Sequence, residues 1–74
     1  MYAMDVVKEA ARRSGTATIS IGPSMGRSRS YVASKASRGD QPQANTLAAM
    51  LGACGWSLVA VPDGDVPESG LVIE

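Results

Sequence analysis

Apolar residues recur at helical spacing in two stretches of the chain. In residues 4–14, Val7, Ala10, Ala11 and Ser14 fall at i, i+3, i+4 and i+7, with Val6 beside them. Lys8, Glu9, Arg12 and Arg13 take the opposite face, so the pattern predicts an amphipathic helix closed by Gly15. The second stretch, residues 43–54, is clearer. Leu47, Met50, Leu51 and Cys54 form one stripe, and Gly55 is the stop. Between them, Val32 and Ala36 at i and i+4 predict a helix from Ser28 to Ser37, with Ser28 as N-cap and Gly39 as terminator. Residues 39–43, Gly-Asp-Gln-Pro-Gln, read as loop.

Residues 17–25 leave two readings open. Ile19 and Ile21 alternate like a strand, and Pro23 disfavours a helix interior. Proline suits a first helical turn, so a short helix over 22–26 also fits. After Gly55 the period changes. Trp56-Ser57-Leu58-Val59-Ala60-Val61 reads as a strand, Pro62-Asp63-Gly64 as a turn, and Leu71-Val72-Ile73 as a second short strand.

Seventy-four residues make one domain, small enough to be marginal alone and to gain from a partner chain. Hydrophobic residues make up 45%, which excludes disorder over the whole length. There is one Cys and no His, so an intramolecular disulfide and a Cys/His zinc site are both excluded, as expected of a cytoplasmic protein. Met1–Val7 contains Asp5 and lacks a basic region before an apolar run, so it does not read as a signal peptide. No apolar run approaches the roughly 18 residues of a membrane span. Cys54 is read as a small core hydrophobe.

Charge separates along the chain. Residues 1–38 carry seven basic side chains against Asp5 and Glu9, a net of +5. Residues 39–74 carry five acids and no base. The segment Arg27–Arg38 is +4 with no acid, which points either to a polyanion partner or to a solvated basic face.

Gly22-Pro-Ser24-Met-Gly26 matches the G-x-S-x-G elbow of serine hydrolases. That chemistry needs a base, and no His exists; clustered carboxylates and Cys pairs are absent too. The reading is therefore not an enzyme, and no cofactor is expected.

The same residues have a second meaning. A helix-turn-helix needs a small residue where its helices cross, a glycine in the turn, and apolar locks between them. Over 18–37, Gly22 is the small residue, Gly26 the turn glycine, and Ile21, Met25 and Val32 the locks. The tract Gly22-Pro-Ser-Met-Gly26-Arg-Ser28-Arg29-Ser-Tyr-Val32 resembles the Cro/repressor-type (XRE-like) helix-turn-helix family. So do Arg38-Gly39, Pro42, Asn45-Thr46-Leu47 and the run Ala53-Cys54-Gly55-Trp56 leading into a strand. The resemblance covers residues 4–62. It departs at Pro23 inside the first motif helix, at Arg27 in place of an apolar turn residue, and at Lys35 in place of a third lock, a role Ala36 would take one residue later.

The resemblance implies a mainly α, lambda-repressor-like domain of four to five helices over 1–55, followed by a short C-terminal strand or hairpin over 56–74. It implies a bacterial or phage transcriptional regulator, a repressor-like homodimer that binds double-stranded DNA with residues 28–37 in the major groove. Arg29 would read guanine; Ser28, Ser30 and Ser34 would meet base edges; Tyr31 would meet a thymine methyl or a phosphate. Arg27, Lys35 and Arg38 would hold phosphates, with Thr18 and Asn45 adding contacts from neighbouring helix starts. Trp56, Leu58, Val59, Val61, Leu71 and Ile73 would form the dimer contact, unless the hairpin folds back on its own chain. Two other classes stand beside this reading: a small inhibitor or adaptor that uses the fold to bind a protein, and an antitoxin whose C-terminal segment holds a toxin.

Overall fold

The computed structural model describes residues 1–74. It is a compact, mainly helical domain of four helices: α1 (Ala3–Ser14), α2 (Thr18–Ser24), α3 (Tyr31–Arg38) and α4 (Ala44–Gly52). No helix is long and apolar enough to cross a membrane.

One closure ends every helix. Gly15, Gly26, Gly39 and Gly55 all adopt positive φ. In each case the next residue's N–H reaches back five positions to a helix carbonyl: Thr16 to Ala11, Arg27 to Gly22, Asp40 to Lys35 and Trp56 to Leu51, at 2.8–3.0 Å. A left-handed residue is required there, and glycine adopts it without a Cβ penalty. These closures turn the chain sharply four times, which lets short helices pack around one centre.

The core is a single cluster of 12 buried residues. α1 contributes Ala3, Met4, Val6, Val7, Ala10 and Ala11, and α4 contributes Leu47, Met50 and Leu51, followed by Cys54. Ile21 and Val32, fully buried, bring α2 and α3 onto that centre. Met25 and Ala36 pack against it, and the Lys35 side chain is only 18% exposed.

Three expectations are corrected. First, residues 18–24 form a helix, neither a strand nor a turn of helix at 22–26. Ile19 is 51% exposed and Ile21 fully buried; positions two apart on a helix point about 200° apart, so their alternation imitates a strand. Second, the third helix starts at Tyr31, not at Ser28. Ser28 does not cap it. The Ser28 hydroxyl lies 3.2 Å from that of Ser30, and the Ser28 carbonyl accepts the Tyr31 N–H at 3.2 Å. Third, no strand forms in the C-terminal segment. Residues 56–74 run without a ladder over α1 and α4, and Trp56 and Leu71 pack against the chain's own core rather than facing outward.

Arg13 fastens that segment. Its guanidinium lies over the Trp56 ring at 5.9 Å and donates to the Ser69 carbonyl at 3.3 Å. The N-terminal amine donates to the Val72 carbonyl at 3.3 Å, and the Glu74 N–H donates to the Met1 carbonyl at 3.0 Å.

Candidate nucleic-acid interface

The contact between α2 and α3 depends on a missing side chain. A Cβ built on Gly22 would overlap the Ser28 carbonyl oxygen outright and would lie 2.9 Å from the Tyr31 Cβ. Glycine at 22 thus allows the turn to lie directly against α2. The turn, residues 25–30, is held at both ends. The Gly22 carbonyl accepts the N–H groups of Met25 and Arg27, and the Ser28 carbonyl accepts that of Tyr31.

This packing leaves Arg27, Ser28, Arg29 and Ser30 exposed on one edge. Neither Arg27 nor Arg29 has a carboxylate within 4.0 Å. Tyr31 is half-buried beside them, and two cations gather on its ring. The Arg27 Cζ lies 5.6 Å from the ring centroid and the Lys35 Nζ 5.1 Å. Each contact is worth about 0.5–1 kcal/mol where exposed; Arg27 stays in water, whereas the Lys35 side chain is only 18% exposed.

Two open clefts flank this cluster. One, of about 500 Å³, runs between Arg27 and Tyr31 on one side and Asn45, Thr46 and Ala49 on the other. The second, of about 420 Å³, is lined by Arg27, Tyr31, Lys35, Asp40, Gln43 and Thr46. The start of α4 therefore faces the start of α3 across a cleft. The Asn45 Oδ1 accepts the Thr46 N–H at 2.9 Å, which leaves the Asn45 amide free to donate. Thr18 is the first residue of α2 and is half-buried. Ser34 is half-buried on α3, and its N–H is bonded to the Ser30 carbonyl at 2.8 Å.

Arg38 and Lys35 are not free cations. The Arg38 guanidinium donates twice to Asp40 Oδ2, at 2.8 and 3.2 Å, and the Lys35 Nζ lies 3.8 Å from the same atom. The Arg38 hydrogen bond, with the nearby charges of Arg38 and Lys35, holds the Asp40 carboxyl below the usual range. Asp40 lies outside the acid-free segment 27–38. The Gly39 closure folds it back over the last turn of α3. The signal was the closure itself: a C′ glycine always brings the next residue beside the helix end. Thr46 was also missed, and its position next to Asn45 at a helix start was the available clue.

Other functional groups are occupied. Arg12 and Arg13 both bind Glu9, at 2.6 and 2.9 Å, and their hydrogen bonds pull its carboxyl down to about 2. Ser24 of the G-x-S-x-G tract donates its hydroxyl to the Ile21 carbonyl at 2.7 Å, a bond within its own helix. Cys54 is buried with its Sγ 3.7 Å from the Met50 carbonyl, and burial pushes its thiol pKa up.

No protein-family model matches this chain, and no curated protein or solved structure matches it. The functional reading therefore rests on the residues and their arrangement.

Proposed function

We propose that the chain is a helix-turn-helix regulator that binds double-stranded DNA through the turn at 26–30 and the exposed face of α3. One observation carries the reading. The close approach at Gly22 fixes the two helices together and leaves two arginines without carboxylate partners on the outer edge, the arrangement a duplex-binding surface requires.

The roles follow from placement. Arg29 is exposed and unpaired, so its fork is available to O6 and N7 of guanine. Because α3 begins at Tyr31, Arg29 and Ser28 would reach the groove from the turn, with Ser30 and Ser34 following along the helix. Arg27, braced on Tyr31, suits a phosphate. So do Lys35 and Arg38 once a phosphate displaces Asp40. Asn45 and Thr18 would add contacts from the starts of α4 and α2. Such a protein works where the chromosome is, in the cytoplasm of a bacterial host. One copy covers about half a turn of duplex, so selectivity calls for two copies on half-sites about 34 Å apart.

The test is fluorescence anisotropy of labelled duplex DNA titrated at several salt concentrations. The expected result is affinity that falls linearly with log salt, with Arg29→Ala reducing it at least about tenfold on a selected site. No binding at low salt would refute the reading. A second reading, a protein-binding adaptor or antitoxin, is favoured by the exposed Leu58, Val59, Val61, Val72 and Ile73 of the C-terminal segment. Lack of DNA binding together with capture of a stable protein partner would support it instead.

A further inference from the structure

We infer that the groove between the C-terminal segment and helices α1 and α4 is a binding site for a small amphipathic cation, an apolar body carrying an ammonium-type head group. The inference is independent of the DNA-binding reading.

The lining sets the groove apart from the other clefts. Val6 of α1 and Leu51 of α4, both buried, form its floor, and Trp56, Leu58, Val61 and Leu71 stand around them. Eleven of its fifteen lining residues are hydrophobic, whereas the two clefts beside Arg27 are at least half polar. Its volume is about 370 Å³, within the range of small-molecule sites. At about 30 Å³ for each water-sized group, it admits about twelve such groups, which suits a small molecule rather than a partner helix.

The walls are pinned in place. The Trp56 N–H donates to the Leu51 carbonyl at 2.9 Å, and two tight turns close through Asp65 N–H to the Pro62 carbonyl at 3.0 Å and Gly70 N–H to the Pro67 carbonyl at 2.9 Å. Arg13 holds the Ser69 carbonyl at 3.3 Å. The groove is therefore formed before a ligand arrives, and binding does not have to order it.

Charge selects the occupant. Asp63 is the one charged residue in the lining; it is exposed and has no ion-pair partner. Asp65 and Glu68 follow it, also without ion pairs, and residues 39–74 hold no base. Arg13, on the Trp56 ring, is already bound to Glu9 at 2.9 Å. An anion in the groove would meet unpaired carboxylates, and a neutral molecule would gain from the apolar floor alone. A cation with an apolar body gains from both.

Calorimetric titration with n-octyltrimethylammonium, kept below its micelle concentration, tests the site. Emission from Trp56, the one tryptophan of the chain, reports where the probe binds. The expected result is saturable binding with a dissociation constant at or below about 1 mM, together with a shift in Trp56 emission. Asp63→Asn should weaken the cation about threefold to fivefold and leave binding of 1-octanol unchanged. Val61 is 42% exposed and lines the groove, so Val61→Lys places a like charge there without touching the core; it should weaken the cation at least about tenfold, and circular dichroism checks the fold. Absence of saturable binding up to about 5 mM overturns the inference and leaves this face to a protein partner. Binding that ignores Val61→Lys and leaves Trp56 unchanged overturns the location. Indifference to Asp63→Asn, or equal weakening of the cation and 1-octanol, overturns the preference for a cation.

Discussion

Gly22→Ala tests the geometry on which the interface depends. The added Cβ would meet three atoms: the Ser28 carbonyl oxygen, which it overlaps, the Tyr31 Cβ at 2.9 Å and the Ser28 carbonyl carbon at 3.2 Å. Ordinary contact begins at 3.4 Å. None of the three is the end of a flexible side chain, so relief requires backbone to move. The turn must lift away from α2, and it carries the start of α3 with it. That movement separates Ile21 from the centre shared with Val32, both fully buried.

Two effects oppose each other. Alanine is a better helix residue than glycine by about 0.5–1 kcal/mol. Overpacking against a backbone that cannot rotate aside costs about 1–3 kcal/mol, and outright overlap belongs at the upper end. The clash therefore wins, with a net loss of about 2 kcal/mol. A domain of this size holds about 4–11 kcal/mol in total, so the loss is a large share of it. At about 4–8 °C per kcal/mol, the melting temperature should fall by about 8–16 °C. Gly52→Ala is the control. Gly52 is helical, has no positive φ, and an added Cβ would meet nothing within 4 Å. There the helical gain stands alone, and stability should rise by about 0.5–1 kcal/mol. Urea unfolding followed by circular dichroism reads both. If Gly22→Ala were as stable as Gly52→Ala, the close passage of the turn over α2 would be wrong.

Two further outcomes are expected. Asp40→Asn removes the carboxylate that occupies Arg38 and Lys35; duplex affinity at fixed salt should rise, and the salt slope should steepen by up to about 0.9 for each cation newly engaged with phosphate. An unchanged slope would mean that those cations never face DNA. Cys54, buried with a raised thiol pKa, should react with a thiol reagent at pH 8 only as the protein opens; the rate should be at least about a hundredfold below that in urea, and a fast native reaction would contradict its place in the core.

The helices with the clearest stripes were the most legible. Every residue named on the α4 stripe is buried, and so are Val6, Val7, Ala10 and Ala11 of α1. The glycine stops at 15, 39 and 55 are all left-handed closures. α2 was not legible, because seven residues give fewer than two turns of periodicity. Pro23 also lies near its end rather than its beginning, where it forfeits only the bond to the Ile19 carbonyl. The C-terminal strand misled for a different reason. Composition reports what a backbone favours, whereas a strand exists only with a neighbour to pair with. Residues 57–61 make no backbone hydrogen bond, so the composition of a strand is present and its ladder is not. Of the candidate site, the sequence offered only a set of residue types; the structure sets Arg27, Ser28, Arg29 and Ser30 on one exposed edge, with Gly22 at the close approach and Gly26 at positive φ. The grouping of Arg27 and Lys35 on one ring, with Asn45 and Thr46 across a cleft, came only from the packing of α3 and α4 on α1.

Charge changes meaning once the chain is folded. Along the sequence, the first half carries a net +5. In the structure, Glu9 holds Arg12 and Arg13, and Asp40 holds Lys35 and Arg38. Four of the seven basic side chains are thus already paired, and Lys8, Arg27 and Arg29 remain. A surface ion pair is worth little in water, because its gain is set against screening and side-chain entropy. A row of phosphates competes with it on favourable terms. On the proposed reading, Asp40 would act less as a fixed neutraliser than as a threshold. In the proposed complex it would leave isolated anions little to gain at Lys35 and Arg38, and would yield where several phosphates arrive together beside Arg27 and Arg29. Such a threshold would let a chain of zero net charge present the polyanion-binding face proposed for it without being basic overall.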